Sequence, residues 1–343
     1  MRSAATLVVA ALFLYGVYGL AASDYAERAD VAGFVDSMVA DYGFSRSDLL
    51  ALFGKVERKQ AVLDAIARPA EKVKPWHEYR DIFVTPQRVQ GGIEFWRAND
   101  AALAHASAQF GVPADVVVAI IGVETLYGKN TGTYRVADAL TTLAFDYPPR
   151  SPFFRNELVQ FLLLAREEGV DPLQLTGSYA GAMGYGQFIP SSFRTYSVDF
   201  DGDGKRDIWR DPVDAIGSVA NYFNRQGWRA DGPVVVRAEV VDNRADAIAN
   251  DALALDHTVG TIRALGVTMP AYADDEPALL LKLDGDAGPE YWVGLHNFFV
   301  ITRYNKSAMY ALAVHQLGEL IASAVTAASP PGVAAAAAPV GAS

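Results

Sequence analysis

The sequence contains no cysteine among its 343 residues. Disulfide bonds, thiolate metal sites, cysteine nucleophiles and the acylated cysteine of a lipoprotein are therefore excluded. Basic residues are also scarce: 29 lysines and arginines stand against 40 aspartates and glutamates, which leaves a net charge of −11 and no basic cluster. We therefore expect no binding to nucleic acid or to anionic lipid. The five histidines lack the close spacing of a metal site.

Hydrophobic residues make up 51% of the chain and charged residues 20%, which predicts a folded protein with a sizeable core and about two or three domains. Residues 4–22 are apolar or small, follow Arg2 and end in small residues. This pattern predicts an export signal cleaved near Ser23, with a retained inner-membrane anchor as the alternative. Residues 326–343 contain Pro330-Pro331-Gly332 and an alanine-rich end, which predicts a disordered tail.

Apolar residues at helical spacing predict a helical domain over residues 24–97, in which Ser45 is placed to cap the second helix. A further helix is predicted from about Gly92 to Phe110. Another is predicted over residues 152–168, ended by Gly169. We interpret the apolar octet 116–123 as a helix, although a β-branched run of this length is also compatible with a buried strand.

Short apolar runs separated by Asp, Gly and Pro begin at residue 232 and predict a small β-containing subdomain over 232–295. Residues 296–325 return to helical spacing and rejoin the core predicted over 98–231. The fold class is therefore mainly α, with a smaller β part (α+β).

Glu124 ends the apolar octet 116–123 and is the one charged residue of its segment. Burial disfavours the ionised form of a carboxyl group and raises its pKa, and the carboxyl end of a helix acts in the same direction. Such a group is suited to general acid catalysis. The alternative is a glutamate in a last helical turn that points into water.

Residues 177–190, here called the glycine loop, contain four glycines interleaved with aromatic residues and Gln187. Glycines allow close backbone approach, so this loop is predicted to line a ligand site. The glycine order G-x-x-G-x-G differs from the dinucleotide pattern G-x-G-x-x-G. Ser178 also lacks the G-x-S-x-G context of a serine hydrolase.

Several segments together resemble the lytic murein transglycosylase B family, over about residues 34–324. They are 120–125, 139–143, 181–190, 211–223 and 301–305. The resemblance implies a lysozyme-like helical core flanked by a helical domain and a small β domain. It also implies cleavage of the β-1,4 bond between N-acetylmuramic acid and N-acetylglucosamine in peptidoglycan, with no cofactor for catalysis. Glu124 matches the family's catalytic glutamate, which acts first as acid and then as base while the muramic acid C6 hydroxyl closes a 1,6-anhydro ring.

The resemblance also implies a set of substrate-binding residues: Ser178, Gln187, Tyr222, Tyr304, Asn305, Tyr310 and Arg150. Ser178 and Asn305 are favoured over the tyrosines, because small polar groups have little packing value and a tyrosine can simply close a core hydrogen bond. Two positions depart from the family pattern. Pro149 replaces an arginine and Phe153 replaces a tyrosine, which puts contacts to the peptide or lactyl carboxylate in doubt.

Residues 199–214, here called the acidic loop, begin with carboxylates at alternate positions and a glycine at the sixth, as in a calcium-binding loop. The predicted ligands of a structural calcium ion are Asp199, Asp201, Asp203, Lys205 and Asp214. Arg210 stands at the twelfth position and cannot bind a cation, so Asp211 or Asp214 must close the loop. A solvated acidic turn without metal is the alternative.

These features together predict an exported, periplasmic, monomeric lytic transglycosylase that acts on peptidoglycan glycan strands, with cell-wall synthesis proteins as candidate partners. A hydrolytic muramidase of the same fold is one alternative. A non-catalytic, calcium-dependent wall-binding protein is the other.

Overall fold

The computed structural model describes residues 24–67, 74–250 and 253–328. The predicted export signal and the tail beyond residue 328 lie outside these ranges. The helices are α1 Ala29–Tyr42, α2 Arg46–Phe53, α3 Gln60–Ala67, α4 Trp76–Phe83, α5 Pro86–Ala98, α6 Asp100–Phe110, α7 Ala114–Thr125, α8 Val136–Asp146, α9 Ser151–Glu167, α10 Pro190–Tyr196, α11 Pro212–Arg225, α12 Val259–Ala264, α13 His296–Tyr304 and α14 Ala308–Ala327. The strands are β1 Tyr134–Arg135, β2 Thr176–Gly177, β3 Val235–Val240, β4 His257–Thr258, β5 Val267–Thr268, β6 Pro277–Gly285 and β7 Gly288–Gly294.

The chain divides into two compact units, with the division between Arg58 and Lys59. The sequence-based domain boundaries near residues 97, 231 and 295 all fall inside the second unit and stay predictions. The helical content with a small sheet agrees with the predicted mainly α fold class.

In the described part of the first unit, residues 24–58, α1 and α2 pack against each other. The side-chain oxygen of Ser45 accepts the N–H of Asp48 and caps α2, as predicted. Phe34 of α1 meets Phe53 of α2 edge to face at 6.0 Å between ring centroids. The aromatic pair therefore connects the two helices.

The prediction of a single helix from Gly92 to Phe110 is wrong, because the helix is interrupted at Asn99, between α5 and α6. Asn99 adopts φ −124°, and its side-chain N–H donates to the Phe95 carbonyl at 2.8 Å. A short amide side chain competes for backbone hydrogen bonds, so it ends α5 while apolar spacing continues across the break.

Helix α7 spans the ambiguous apolar octet, and residues 116–123 are all buried. It packs against α14, α5, α6 and α11, which surround it with apolar side chains. Helix α14 approaches closely at Gly318, where an added Cβ would lie 3.1 Å from the Asp115 carbonyl oxygen. The octet is therefore a central helix and not a strand.

Strands β3 to β7 form an antiparallel sheet with the order β4-β6-β7-β3-β5. The sheet and α12 share an apolar cluster that includes Val259 and Ile262 of the helix and Leu280 and Val293 of the strands. The runs between residues 232 and 295 thus form the predicted β-containing region.

Within the described ranges, α14 is long and apolar enough to cross a membrane by length and composition alone, and α6 with α7 passes the same test with a bend of 115°. The residues Ala311, Val314, Leu317 and Ile321 of α14 are buried inside the protein. Packing in the core accounts for the apolar character of α14.

Candidate active site

Glu124 lies in the last turn of α7, at the carboxyl end of the buried run. Its side chain is only partly exposed, and its Oε1 accepts the Tyr310 hydroxyl at 2.5 Å. Burial raises the pKa of Glu124 to about 7, while the hydrogen bond from Tyr310 acts in the opposite direction. At neutral pH the carboxyl group can therefore both donate and accept a proton.

Two of the predicted tyrosines lie beside this carboxyl group. Tyr310 is in the first turn of α14, where the Ser307 side chain accepts its backbone N–H and caps the helix. Tyr304 ends α13 and donates its hydroxyl to the Gly186 carbonyl at 2.5 Å. Burial, and then the negative charge of Glu124, raise the pKa of both hydroxyl groups well above the usual value for tyrosine. Both remain neutral hydrogen-bond donors.

Tyr222 lies on α11 and contacts Tyr304. Its hydroxyl donates to the Arg303 carbonyl at 2.6 Å, and its ring meets Tyr304 edge to face at 4.8 Å. Tyr222 therefore supports Tyr304 by packing.

Tyr79 on α4 was missed by the sequence reading. Burial and the charge of Glu124 raise the pKa of its hydroxyl, and the Ser307 side chain is within hydrogen-bonding reach of it. Tyr79 lies 45 positions before Glu124 in the sequence, in an ordinary amphipathic helix, so no local pattern marks it.

Hydrogen bonds between the Ser178 and Gln187 side chains and backbone groups stabilise the glycine loop. The Ser178 Oγ accepts the N–H groups of Ala180 at 3.3 Å and Ala182 at 3.0 Å. Gln187 adopts φ +51°, and its side-chain nitrogen donates to the carbonyls of Thr131 and Gly184 at 3.1 and 3.0 Å. The structure thus uses both predicted side chains to shape the loop, with each partly exposed.

Asn305 and Arg150 are both exposed. Asn305 directly follows Tyr304 at the end of α13. The guanidinium group of Arg150 stacks on the rings of Phe153 and Phe154, at 4.3 and 5.1 Å from their centroids. Among the described residues, the hydrogen bond to the Glu124 carboxyl group comes from Tyr310. The assignment of Ser178 and Asn305 to substrate binding stays a prediction.

The acidic loop brings its carboxylates together in two overlapping groups. In one, oxygens of Asp199, Asp201 and Asp203 lie within 4.8 Å of one another; in the other, so do oxygens of Asp201, Asp211 and Asp214. Such hard oxygen donors suit calcium. Lys205 can contribute only its backbone carbonyl oxygen, because its side chain is cationic.

Asp214 is 1% exposed and holds the loop from inside. Its two carboxylate oxygens accept the N–H groups of Phe200 and Asp207, each at 2.7 Å. Burial raises the pKa of Asp214 more than these bonds lower it. Asp211 instead caps α11 by accepting the Val213 N–H at 2.7 Å.

Residues 26–319 match the family model described as the transglycosylase SLT domain. The chain belongs to the SLT transglycosylase family. It is 44% identical over 311 residues to the membrane-bound lytic murein transglycosylase B of Escherichia coli (strain K12), which covers 88% of this chain and 85% of that protein.

Solved structures of lytic transglycosylases share the fold. The catenated SltB1 of Pseudomonas aeruginosa is 56% identical, with a TM-score of 0.86 over 88% of this chain and 100% of that chain. Escherichia coli Slt35 in complex with calcium is 43% identical, with a TM-score of 0.80 over 89% and 94%. SltB3 of Pseudomonas aeruginosa in complex with NAG-anhNAM-pentapeptide is 33% identical, with a TM-score of 0.78 over 85% and 79%.

The family match confirms the resemblance seen in the sequence. This SLT transglycosylase is therefore a peptidoglycan lytic transglycosylase. Because the family is one of enzymes, the alternative of a non-catalytic wall-binding protein is wrong. The fold of the chain is that of the lysozyme-like relatives.

Proposed function

We propose that this enzyme cleaves the β-1,4 bond between N-acetylmuramic acid and N-acetylglucosamine, and that Glu124 is its single acid and base. The observation that carries the proposal is the environment of Glu124: a carboxyl group at the end of a buried apolar helix, with a pKa raised to about 7 and a tyrosine hydroxyl on its Oε1.

In the first step, protonated Glu124 donates its proton to the glycosidic oxygen. A general acid works best when its pKa is near the working pH, because it is then protonated often enough and still releases the proton readily. Burial supplies this pKa here. The proton leaves with the N-acetylglucosamine hydroxyl, and positive charge develops at the muramic acid C1.

In the second step, the Glu124 carboxylate accepts the proton of the muramic acid C6 hydroxyl, whose oxygen bonds to C1 and forms the 1,6-anhydro ring. The nucleophile belongs to the substrate, so proximity replaces an activated water. A paired carboxylate is then unnecessary. In support, the pKa of Glu124 is set by burial and by the hydrogen bond from Tyr310.

The tyrosine hydroxyls of Tyr79, Tyr304 and Tyr310 stay protonated beside Glu124, because burial and its charge raise their pKa values. We infer that they hold and orient the carboxyl group through its two protonation states. The exposed Asn305, with Ser178 and Gln187 on the glycine loop, is assigned to contacts with sugar hydroxyl and acetamido groups. Arg150 is assigned to the peptide or lactyl side of the substrate, where Pro149 and Phe153 leave fewer polar contacts.

The hydrolytic muramidase is the competing reaction of the same fold. It would place a water molecule where the C6 hydroxyl attacks and would leave reducing muramic acid ends. We expect mass spectrometry of the products released from purified sacculi to show anhydro ends, which are lighter by one water molecule. Reducing ends as the main product would contradict the proposal.

Replacement of Tyr310 by Phe is expected to move the pH dependence of cleavage. The Tyr310 hydrogen bond lowers the pKa of Glu124, so its loss should raise that pKa above about 7. Activity that needs the protonated acid should then persist to higher pH, while kcat falls roughly tenfold because the carboxyl group is less well oriented. The measurement is kcat/KM on sacculi between pH 5 and 9. The Tyr272→Phe variant, in the β region, is the matched control, and an alkaline limb that stays in place would contradict this role.

We further propose that the enzyme acts on the wall outside the cytoplasm, as expected for an exported chain whose relative is a membrane-bound murein transglycosylase. The SltB3 complex with NAG-anhNAM-pentapeptide supports peptide-bearing glycan strands as the partner. The oxygen donors of Asp199, Asp201, Asp203 and Asp214, with the Lys205 carbonyl, fit a calcium ion, and Slt35 was solved with calcium. We assign that ion a structural role in stabilising the acidic loop.

A further inference from the structure

The hydroxyl group of Thr125, the residue after Glu124, contacts three separate backbone groups. It faces the carbonyls of Ile121 at 3.1 Å and Tyr185 at 2.9 Å, and it accepts the Gly128 N–H at 3.0 Å. A hydroxyl has one proton, so the two carbonyls share it. The side chain is 1% exposed, so water cannot replace these contacts. One buried hydroxyl therefore joins the end of α7, the turn after it and the glycine loop.

The turn that follows Glu124 depends on such contacts. Leu126 and Tyr127 have φ values of +52° and +60°, a left-handed backbone that residues with a Cβ rarely adopt. A backbone of this kind is kept only where its surroundings hold it. The Tyr127 hydroxyl donates to the Arg88 carbonyl at 2.7 Å, and Thr125 holds the other end through Gly128.

On the other side, Tyr185 is fitted tightly between the turn and the acidic loop. Its N–H donates to the carbonyl of Ile208 at 3.0 Å. A Cβ at Gly184 would lie 2.4 Å from that same carbonyl oxygen, and a Cβ at Gly128 would lie 2.2 Å from the Tyr185 ring. Neither position has room for a side chain, and the hydrogen bond from Tyr185 to Ile208 links the backbones of the glycine loop and the acidic loop.

Ile208 belongs to the acidic loop and is 1% exposed. The residue before it, Asp207, donates its N–H to the Asp214 carboxylate, which also holds Phe200 at the start of the loop. Whatever orders the carboxylates of this loop therefore also fixes Ile208. A continuous path of short contacts then runs from Ile208 through Tyr185 to Thr125.

We infer that Thr125 is a positioning residue for Glu124, and that through its hydroxyl the acidic loop sets the orientation of the catalytic carboxyl group. The inference rests on the proposed role of Glu124. It means that calcium binding to the acidic loop changes catalysis as well as stability. Thr125 itself touches no reacting atom.

The first test compares Thr125→Val, which keeps the shape and removes the hydroxyl, with Thr125→Ser, which restores it. Thr195→Val is the matched control, because Thr195 is exposed and its hydroxyl donates to the backbone carbonyl of Ser191, in the same helix, at 2.8 Å. We expect kcat on sacculi to fall by about 10- to 100-fold in Thr125→Val with KM within about twofold, to recover largely in Thr125→Ser, and to stay unchanged in Thr195→Val. A wild-type kcat in Thr125→Val overturns the inference.

The second test measures kcat and Tm of the full chain with calcium and with a chelator. Calcium should raise the Tm of wild type and Thr125→Val alike, since the ligands are intact. It should raise kcat several-fold only in wild type and Thr125→Ser, where the hydroxyl transmits the change. The claim that Thr125 couples the acidic loop to Glu124 is overturned if the wild-type kcat does not change with calcium. It is also overturned if calcium changes kcat equally in Thr125→Val.

If circular dichroism shows that Thr125→Val does not fold, the comparison of wild type with Thr125→Ser decides the question, at a temperature where both stay folded without calcium. A kcat unchanged on chelation in both proteins overturns the inference. Product masses recorded in each run separate the two claims. Reducing ends from wild type contradict the proposed function, whereas anhydro ends at an undiminished rate from Thr125→Val contradict only the positioning role.

Discussion

Glu124→Gln is expected to lower the release of anhydromuropeptides from purified sacculi by at least about 10³-fold. Removal of a general acid or base typically costs about 10²- to 10⁴-fold, and in the proposed mechanism one residue does both tasks. The glutamine carbonyl can still accept the Tyr310 hydroxyl, so the surrounding hydrogen bond is kept. Far-ultraviolet circular dichroism should therefore match the wild type.

The same variant should be more stable than the wild type at alkaline pH. Burial raises the pKa of Glu124 from 4.5 to about 7, so the folded protein is favoured fully below pH 4.5 and loses this contribution as pH rises through 7. Over this difference in pKa the loss of stability amounts to at most about 3.5 kcal/mol, at about 1.4 kcal/mol per pH unit. Glutamine cannot ionise, so its Tm should exceed that of the wild type at pH 8 and match it at pH 4.

Glu94→Gln is the control for this pair of measurements, because Glu94 is an exposed glutamate on α5. It should change neither activity nor the pH dependence of Tm. Retention by Glu124→Gln of more than about a tenth of wild-type activity would refute the assignment of Glu124 as the acid and base.

Calcium at about 100 times its Kd is expected to stabilise the wild type by about 2.7 kcal/mol, a rise in Tm on the order of 5–10 °C. In Asp214→Asn this calcium-dependent rise should disappear. The variant should also be less stable without calcium by about 1–3 kcal/mol. One carboxylate oxygen that accepts a backbone N–H becomes an amide nitrogen, which cannot accept it.

Asp41→Asn makes the same change in charge at an exposed position of α1 and should keep the full calcium response. Thermal unfolding of the three proteins with calcium and with a chelator provides the comparison. If calcium leaves the wild-type Tm unchanged, the acidic loop is a solvated turn and the metal assignment fails.

Local patterns were sufficient for much of the fold. The Ser45 cap, the helix that ends before Gly169 and the β character after residue 232 all follow from side chains that act within a few residues. The sequence did not indicate the interruption at Asn99, because the apolar spacing continues through it. There, the Asn99 side chain donates a hydrogen bond to the Phe95 carbonyl, the local competition that makes asparagine a poor helix former.

The candidate site was less accessible to sequence reasoning. Glu124 stood out because it is a lone carboxylate after an apolar run, a local property. The preference for Ser178 and Asn305 over the tyrosines as sugar-binding residues rested on the low packing value of small polar groups, and it stays a prediction. The structure adds that Tyr310 contacts the Glu124 carboxyl group and that Ser178 also shapes its own loop. Tyr79 had no signal, since its proximity to Glu124 depends on how α4 packs.

By itself, the sequence determined the character of each segment: an apolar run that carries one acid, a glycine-rich loop, and an acidic loop with alternating oxygen donors. These properties are local, because they depend on residue types and short spacings. Only the tertiary structure decided that Tyr310 contacts Glu124, that Asp214 holds the acidic loop, and that Thr125 joins the catalytic turn to Tyr185. Those contacts bring together residues 14 to 186 positions apart. The packing that buries Glu124 is likewise a property of the tertiary structure, and this burial raises the pKa of Glu124 to about 7.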